Sequence, residues 1–153
     1  MRATHPGHSP GFTLLEMLVV LVIAAALAAI AYPSYRHIMH RSQRIEAHLA
    51  LLRLQTLQER HFADHHAYAS QLRADGRGDS LPIAAITENG HYDLSMRVDA
   101  DGQAYVAIAR ARQSGRQAGD SWCQQFSIDT VGTRRSATAT GPWRAEPGSG
   151  CWG

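Results

Sequence analysis

Three groups of residues have types and spacings suited to chemistry. The first is a single carboxylate, Glu16, near the start of the apolar run from Phe12 to Tyr32. An acidic group at membrane depth costs about 2.5–3.5 kcal/mol even on lenient insertion scales, so it marks a functional position whose partner should be named. The second is the cysteine pair Cys123 and Cys151. An even pair in a short chain suits one disulfide, and hence an oxidising compartment. The third is a basic region carrying Arg110, Arg112, Arg134 and Arg135: from Arg110 to Arg144 there are six arginines and two aspartates. The segment before it, Asp64 to Asp101, holds seven acidic residues and three arginines. A basic face can bind phosphate backbones. Complementary contact between adjacent subunits, or simple solvation, accounts for the same asymmetry and is the preferred reading.

Other groups resolve into plainer readings. His61 and His65 stand four apart with Asp64 and His66 beside them, a spacing that can hold a metal from one helical face. The glutamate of an H-E-x-x-H motif is missing and no third ligand is evident, so solvated polar residues at a helix end are expected, and His37 and His40 are read the same way. Arg77-Gly78-Asp79 is a three-residue adhesion-type match in a loop and carries little weight. The sequence shows no nucleophile elbow, phosphate loop or paired-carboxylate motif. The expectation is a protein with no enzymatic activity, cofactor or metal.

The elements that must position these residues follow from periodicity. At 153 residues the chain suits one folded domain plus an appendage. It is 44% hydrophobic and 18% charged, but the apolar residues crowd into one early block. Formal net charge is +2, too small to imply a polyanionic partner, and every one of its 15 basic residues is arginine. Phe12–Tyr32 is 21 residues long, enough at about 1.5 Å per residue to cross a hydrocarbon core of about 30 Å. The run exceeds the roughly 7–15 residues of a signal-peptide core and has no clean small-x-small cleavage site after it. Pro33 should kink or end the helix locally. Beyond it Ile38, Ile45, Leu49 and Leu52 fall on one helical face, continued by Thr56 and Ala63, which predicts an amphipathic helix to about Ala63. The two stretches together suggest one helix far longer than the globular average of about 11–12 residues.

From Ala67 to Gly90 glycine, aspartate and proline punctuation predicts a loop. His91–Val98 and Ala104–Arg112 alternate and flank the turn Asp99–Gly102, which predicts a hairpin. Trp122–Asp129 and Thr133–Ala139 read as further strands. The predicted fold is α+β: a long N-terminal helix whose amphipathic half is covered by three or four antiparallel strands.

Gly11-Phe12-Thr13-Leu14-Leu15-Glu16, the apolar run and Pro33 together resemble the class III leader junction of type IV prepilins. The resemblance implies a leader of residues 1–11, a transmembrane and filament-core helix over 12–33, and a pilin head over 34–153. It implies cleavage between Gly11 and Phe12 by prepilin peptidase and methylation of the new Phe12 amine. It also implies that Glu16 pairs with the N-terminal amine of a neighbouring subunit during assembly, an attraction much stronger in a low-dielectric core than in water. Pro33 is an assembly position where the helix can adjust. The layout "GDSWCQQFSIDTVGTRR…CWG", with "QERHFADHHAYA" upstream, is similar to minor pilins of the PilE type, in which a Cys123–Cys151 bridge would close the C-terminal loop.

The partners implied are other pilin subunits in a helical filament, prepilin peptidase, the inner-membrane assembly platform, membrane lipid before assembly, and DNA as a further candidate. The location implied is a single-pass inner-membrane protein, N-terminus cytoplasmic and head periplasmic, that later becomes part of an extracellular pilus serving twitching motility, adhesion or DNA uptake. Arg36, Arg41 and Arg44 after the apolar run, against Arg2 alone before it, would by the positive-inside rule give the opposite orientation. A long following domain weakens that rule, and the cysteines favour the periplasm. Two alternatives belong to other classes. A type II secretion pseudopilin would often bind calcium, for which Asp99 and Asp101 are candidates. A competence pilin would bind DNA through Arg110, Arg112, Arg134 and Arg135.

Overall fold

The structure, a computed structural model, describes residues 12–152, so the leader and the Gly11 side of the cleavage junction lie outside the described residues. The chain divides into two compact units, Met1–Ile38 and Met39–Gly153. One helix, α1, runs from Leu14 to His65 and is 52 residues long. Thr13 starts it: its Oγ1 accepts the Glu16 N–H at 3.2 Å and its carbonyl accepts the Met17 N–H at 3.2 Å. Thr-x-x-Glu is a capping sequence, and a carboxylate in the first turn also faces the positive end of the helix dipole. The bond shown is made by the Glu16 backbone, so its carboxylate is left to face the helix dipole and any partner it meets. Pro33 does not end the helix, which continues to His65. A proline removes one backbone bond, and the turns that follow are held by packing in the second unit.

In the first unit the apolar side chains stand exposed on all sides, Leu14 at 84%, Leu21 at 69% and Ile30 at 75%. A helix apolar all round is suited to a membrane or a filament core rather than to one-sided packing. It is the one described helix long and apolar enough to cross a membrane.

In the second unit the helix face that packs is not the predicted one. The buried residues are Arg44, Ala47, Leu51, Leu54 and Gln58, three or four apart along one stripe. Of the predicted stripe, Ile45 and Leu49 are 53% and 62% exposed, Ile38, Thr56 and Ala63 are exposed, and Leu52 sits half-buried at the margin. The physical reason is that the stripe facing the sheet includes two polar side chains with built partners. Gln58 brackets the chain after the helix, its Nε2 donating to the Ala69 carbonyl and its Oε1 accepting the Ala69 N–H, both at 2.9 Å. Arg44 is met by an aspartate from a distant loop.

Where the sequence predicted only a loop, β1 (Gln71–Leu72) and β2 (Ser80–Leu81) form a short parallel pair. The main sheet is antiparallel with its strands in chain order: β3 (Tyr92–Val98), β4 (Tyr105–Ala111), β5 (Gln125–Asp129), β6 (Arg134–Ala137) and β7 (Arg144–Ala145). The hairpin falls where alternation predicts it, and the next two strands fall within Trp122–Asp129 and Thr133–Ala139, all with trimmed ends. β7 is a fifth strand that two residues cannot announce by pattern. Tyr92, Leu94, Tyr105, Ala107, Ala109, Phe126 and Ile128 form the sheet's side of the core with Ala47, Leu51 and Leu54. Asp99 Oδ1 accepts the Gln103 N–H at 2.8 Å and the Ala104 N–H at 3.1 Å, so the hairpin turn accounts for that carboxylate. Cys123 and Cys151 are joined by a disulfide, 28 residues apart in sequence.

Candidate functional site

The C-terminal loop is built around Asp120. Its carboxylate takes Arg44 in two-point contact, Nε at 2.6 Å and a terminal nitrogen at 2.9 Å. It also accepts Gln117 Nε2 at 2.9 Å and the backbone N–H groups of Trp122 and Cys123 at 3.1 and 3.2 Å. Burial pushes its pKa up, but the hydrogen bonds from Arg44, Trp122 and Cys123, with the Arg44 charge, outweigh it and hold the carboxyl below the ordinary range. One buried aspartate thus ties α1 to the residue that opens the disulfide loop.

The other end of that loop is anchored by Trp152. Its indole N–H donates to the Arg135 carbonyl at 3.0 Å. His48 from α1 stacks on the indole, ring centres 4.6 Å apart and 9° from parallel, and meets Phe126 edge-on at 4.9 Å. The Arg134 guanidinium lies 5.3 Å from the Trp152 ring centre, a cation–π distance. Burial, then the positive charges of Arg134 and Arg44, lower the His48 pKa to about 4.

The structure divides the four candidate arginines. Strand pairing puts residues of one cross-strand row on one face, and Arg134 pairs with Ile128, a core residue. Arg134 therefore belongs to the helix side of β6, beside Trp152. Arg135 pairs with Ser127 and so belongs to the opposite, outer face, as does Arg110, which pairs with Asp93 and Gln125. Arg112 meets Asp93 at 3.2 Å and Arg135 meets Asp129 at 3.1 Å. Arg110 donates to the neutral Gln125 Oε1 at 2.9 Å. The outer face thus carries Arg110, Arg112 and Arg135 but not Arg134. It also carries Arg97, in the row of Val106 and Asp129, which lies outside the basic segment picked out by charge. The signal for Arg97 was available, since it alternates with Met96 and Val98 in the predicted strand. Trp143, which lines a cleft on this face, had no such signal in the irregular tail.

The remaining candidates are placed as follows. His61 and His65 rings stack at 4.1 Å, but each Nδ1 is 3.0 Å from a backbone carbonyl, of Ala67 and His61 respectively. Asp79 of the Arg-Gly-Asp stretch accepts the Ser70 N–H at 3.1 Å and lies 3.6 Å from His61 Nε2, so its carboxylate is occupied within the fold. His40 Nδ1 is 3.4 Å from Gln117 Oε1, at the edge of the Arg44–Asp120 cluster. At the membrane end, Phe12 is 75% exposed and Glu16 is exposed four residues later.

A membrane-length apolar helix opened by Thr13 and Glu16, continuing into one side of an antiparallel sheet with a disulfide-closed C-terminal loop, defines a type IV pilin. Residues 8–32 match the prokaryotic N-terminal methylation motif. Residues 33–127 match the family described as "Type IV minor pilin ComP, DNA uptake sequence receptor", and the chain belongs to that family. It is a type IV minor pilin, a structural rather than enzymatic class. Membership implies processing by prepilin peptidase and assembly with other pilins into pilus filaments from a membrane-anchored precursor. Among solved structures, the chain is similar to a type IV pilin from Shewanella oneidensis, at 23% identity and a TM-score of 0.49 over 74% of this chain and 98% of that one. No curated protein matches the chain.

Proposed function

We propose that this minor pilin is held in the inner membrane with its head periplasmic, is cut between Gly11 and Phe12, and carries a DNA-binding head into the fibre. The DNA reading rests on the family match, whose description is of a DNA uptake sequence receptor. It is supported by the outer sheet face, where Arg97, Arg110, Arg112 and Arg135 outnumber Asp93 and Asp129. Such a surface neutralises phosphates and releases counterions, so binding should weaken steeply with salt. Glu16 pairs with the Phe12 amine of a neighbouring subunit in the fibre, and Pro33 is where the helix adjusts. Pilus roles in twitching motility and adhesion follow from fibre membership and need no further ligand on the head.

The test is salt-dependent duplex binding by the full-length chain in detergent micelles. The expected result is an affinity that falls linearly on a log–log salt plot, with a slope of about 0.9 for each phosphate that the protein neutralises. Arg135→Ala should reduce that slope, whereas Arg134→Ala, on the other side of the sheet, should not. Absence of salt-sensitive binding, or an unchanged slope in an Arg134→Ala/Arg135→Ala variant, refutes the DNA reading and leaves the pilin assignment standing.

A further inference from the structure

Two residues on the outer face of the sheet are more buried than an uncovered face allows. Ile108 is 8% exposed and Ser127 is 3% exposed, although both point away from the helix. The segment between β6 and β7 brings Trp143 beside both. Trp143, from that segment, lines a single cleft with Arg97, Val106, Ile108, Ser127 and Arg135, of about 390 Å³. Trp143 still keeps 40% of its surface exposed. Arg97 is exposed and, among the described residues, forms no ion pair. Arg135 shares its charge with Asp129 at 3.1 Å.

The strand register spaces these groups. Arg97 on β3 and Arg135 on β6 are three strands and two cross-strand rows apart. At about 4.8 Å per strand and about 3.35 Å per row, their backbones lie roughly 16 Å apart, with the apolar floor between them. An accessible indole on an apolar floor, with a guanidinium on each side, matches a flat π-surface flanked by negative charges.

We propose that this cleft is a subsite for single-stranded DNA, in which an unstacked base lies against Trp143 while Arg97 and Arg135 hold the phosphates of flanking nucleotides. The proposal rests on the DNA-binding reading above and names the form of DNA that this part of the face takes. Base–aromatic stacking is sequence-tolerant and available only where bases are free. A duplex keeps its base faces stacked inside, so a flat aromatic group finds none free to stack on. Arg110, bonded to neutral Gln125 rather than to a carboxylate, extends the positive field beyond the cleft along β4. Asp129 lowers that field at one corner, so Arg97 carries more of the phosphate contact than Arg135 does.

The experiment uses the full-length chain in detergent micelles and fluorescence anisotropy with two labelled probes, a twelve-residue oligothymidine and a twelve-base-pair duplex. Trp143→Ala is expected to weaken oligothymidine binding about tenfold or more, with duplex binding changed less than about twofold. Trp143→Phe, which keeps an aromatic face, should retain most of the affinity. Arg97→Ala, on an exposed side chain outside the core, should lower the salt slope for oligothymidine by about 0.7. Near-UV circular dichroism checks that each variant keeps its fold. Unchanged oligothymidine binding in both Trp143→Ala and Arg97→Ala overturns the proposal. So does an equal loss for both probes, which would make the cleft part of a general basic face. Wild-type binding to duplex but not to oligothymidine removes the subsite and leaves the DNA reading intact. Binding to neither probe removes both.

Discussion

Asp120→Asn tests the idea that one buried ion pair holds the C-terminal loop on the helix. The Asp120 side chain is 2% exposed and that of Arg44 11%, and the two meet at 2.6 Å. Asparagine has the same shape but no charge, and its amide nitrogen would turn a donor toward Arg44 or toward the Trp122 and Cys123 amides. Removing one member of a buried pair costs about 3–5 kcal/mol because the other charge is left unpaired. Arg44 keeps part of its side chain in solvent, so we take the lower end, about 3 kcal/mol. For a domain of this size that lowers Tm by about 10 °C. The assay is near-UV circular dichroism of the full-length chain in micelles on heating, since all three tryptophans lie in the head. A second variant, Arg44→Met/Asp120→Asn, should lose at least about 1 kcal/mol less than the sum of the single changes, as expected for residues in contact. The pH dependence has a definite sign. Asp120 is depressed when folded, so its contribution is present above the unfolded carboxylate value of about 3.9 and is lost as pH falls through its folded pKa. The gap between wild type and Asp120→Asn should therefore shrink in acid. A loss within about 0.5 kcal/mol, the usual size of a surface substitution, or an unchanged gap in acid would refute the reasoning.

Two further outcomes follow from the same loop. Cys151→Ser opens a 28-residue closure, which by chain-entropy reasoning costs about 3–4 kcal/mol, and urea titration with and without reductant should show wild type falling to the level of the variant. His48, lowered to about 4 when folded, takes up a proton more readily when unfolded. Stability should thus fall as pH drops from about 6.5 toward 4, by about 1–2 kcal/mol for a half-buried ring. His48→Phe, which keeps the stack on Trp152, should flatten that part of the profile, and a profile identical to wild type would contradict it.

What the sequence revealed and what it hid divide along physical lines. The apolar run was legible from its length and continuity, and the hairpin from alternation kept up over seven residues in each strand. The packed face of α1 was not. Ile38, Ile45 and Leu49 look more apolar than Arg44, Ala47 and Gln58, yet the latter set is buried because Asp120 and the Ala69 backbone satisfy its polar members. A partner 76 residues away leaves no trace in local periodicity. Among the candidate arginines, charge counting found Arg110, Arg112 and Arg135 on one face but could not separate off Arg134, because β5–β6 register decides the side. Trp143 was invisible for a similar reason: its place in the cleft with Ile108 comes from an irregular tail.

The measurement that bears most directly on the pilin assignment is the mass and N-terminal sequence of the chain from membrane and sheared-surface fractions. The predicted result is a chain beginning at methylated Phe12, present in the sheared fibres, with Cys123 bridged to Cys151. A chain still beginning at Met1, or cut beyond the apolar run and absent from the fibres, would contradict it.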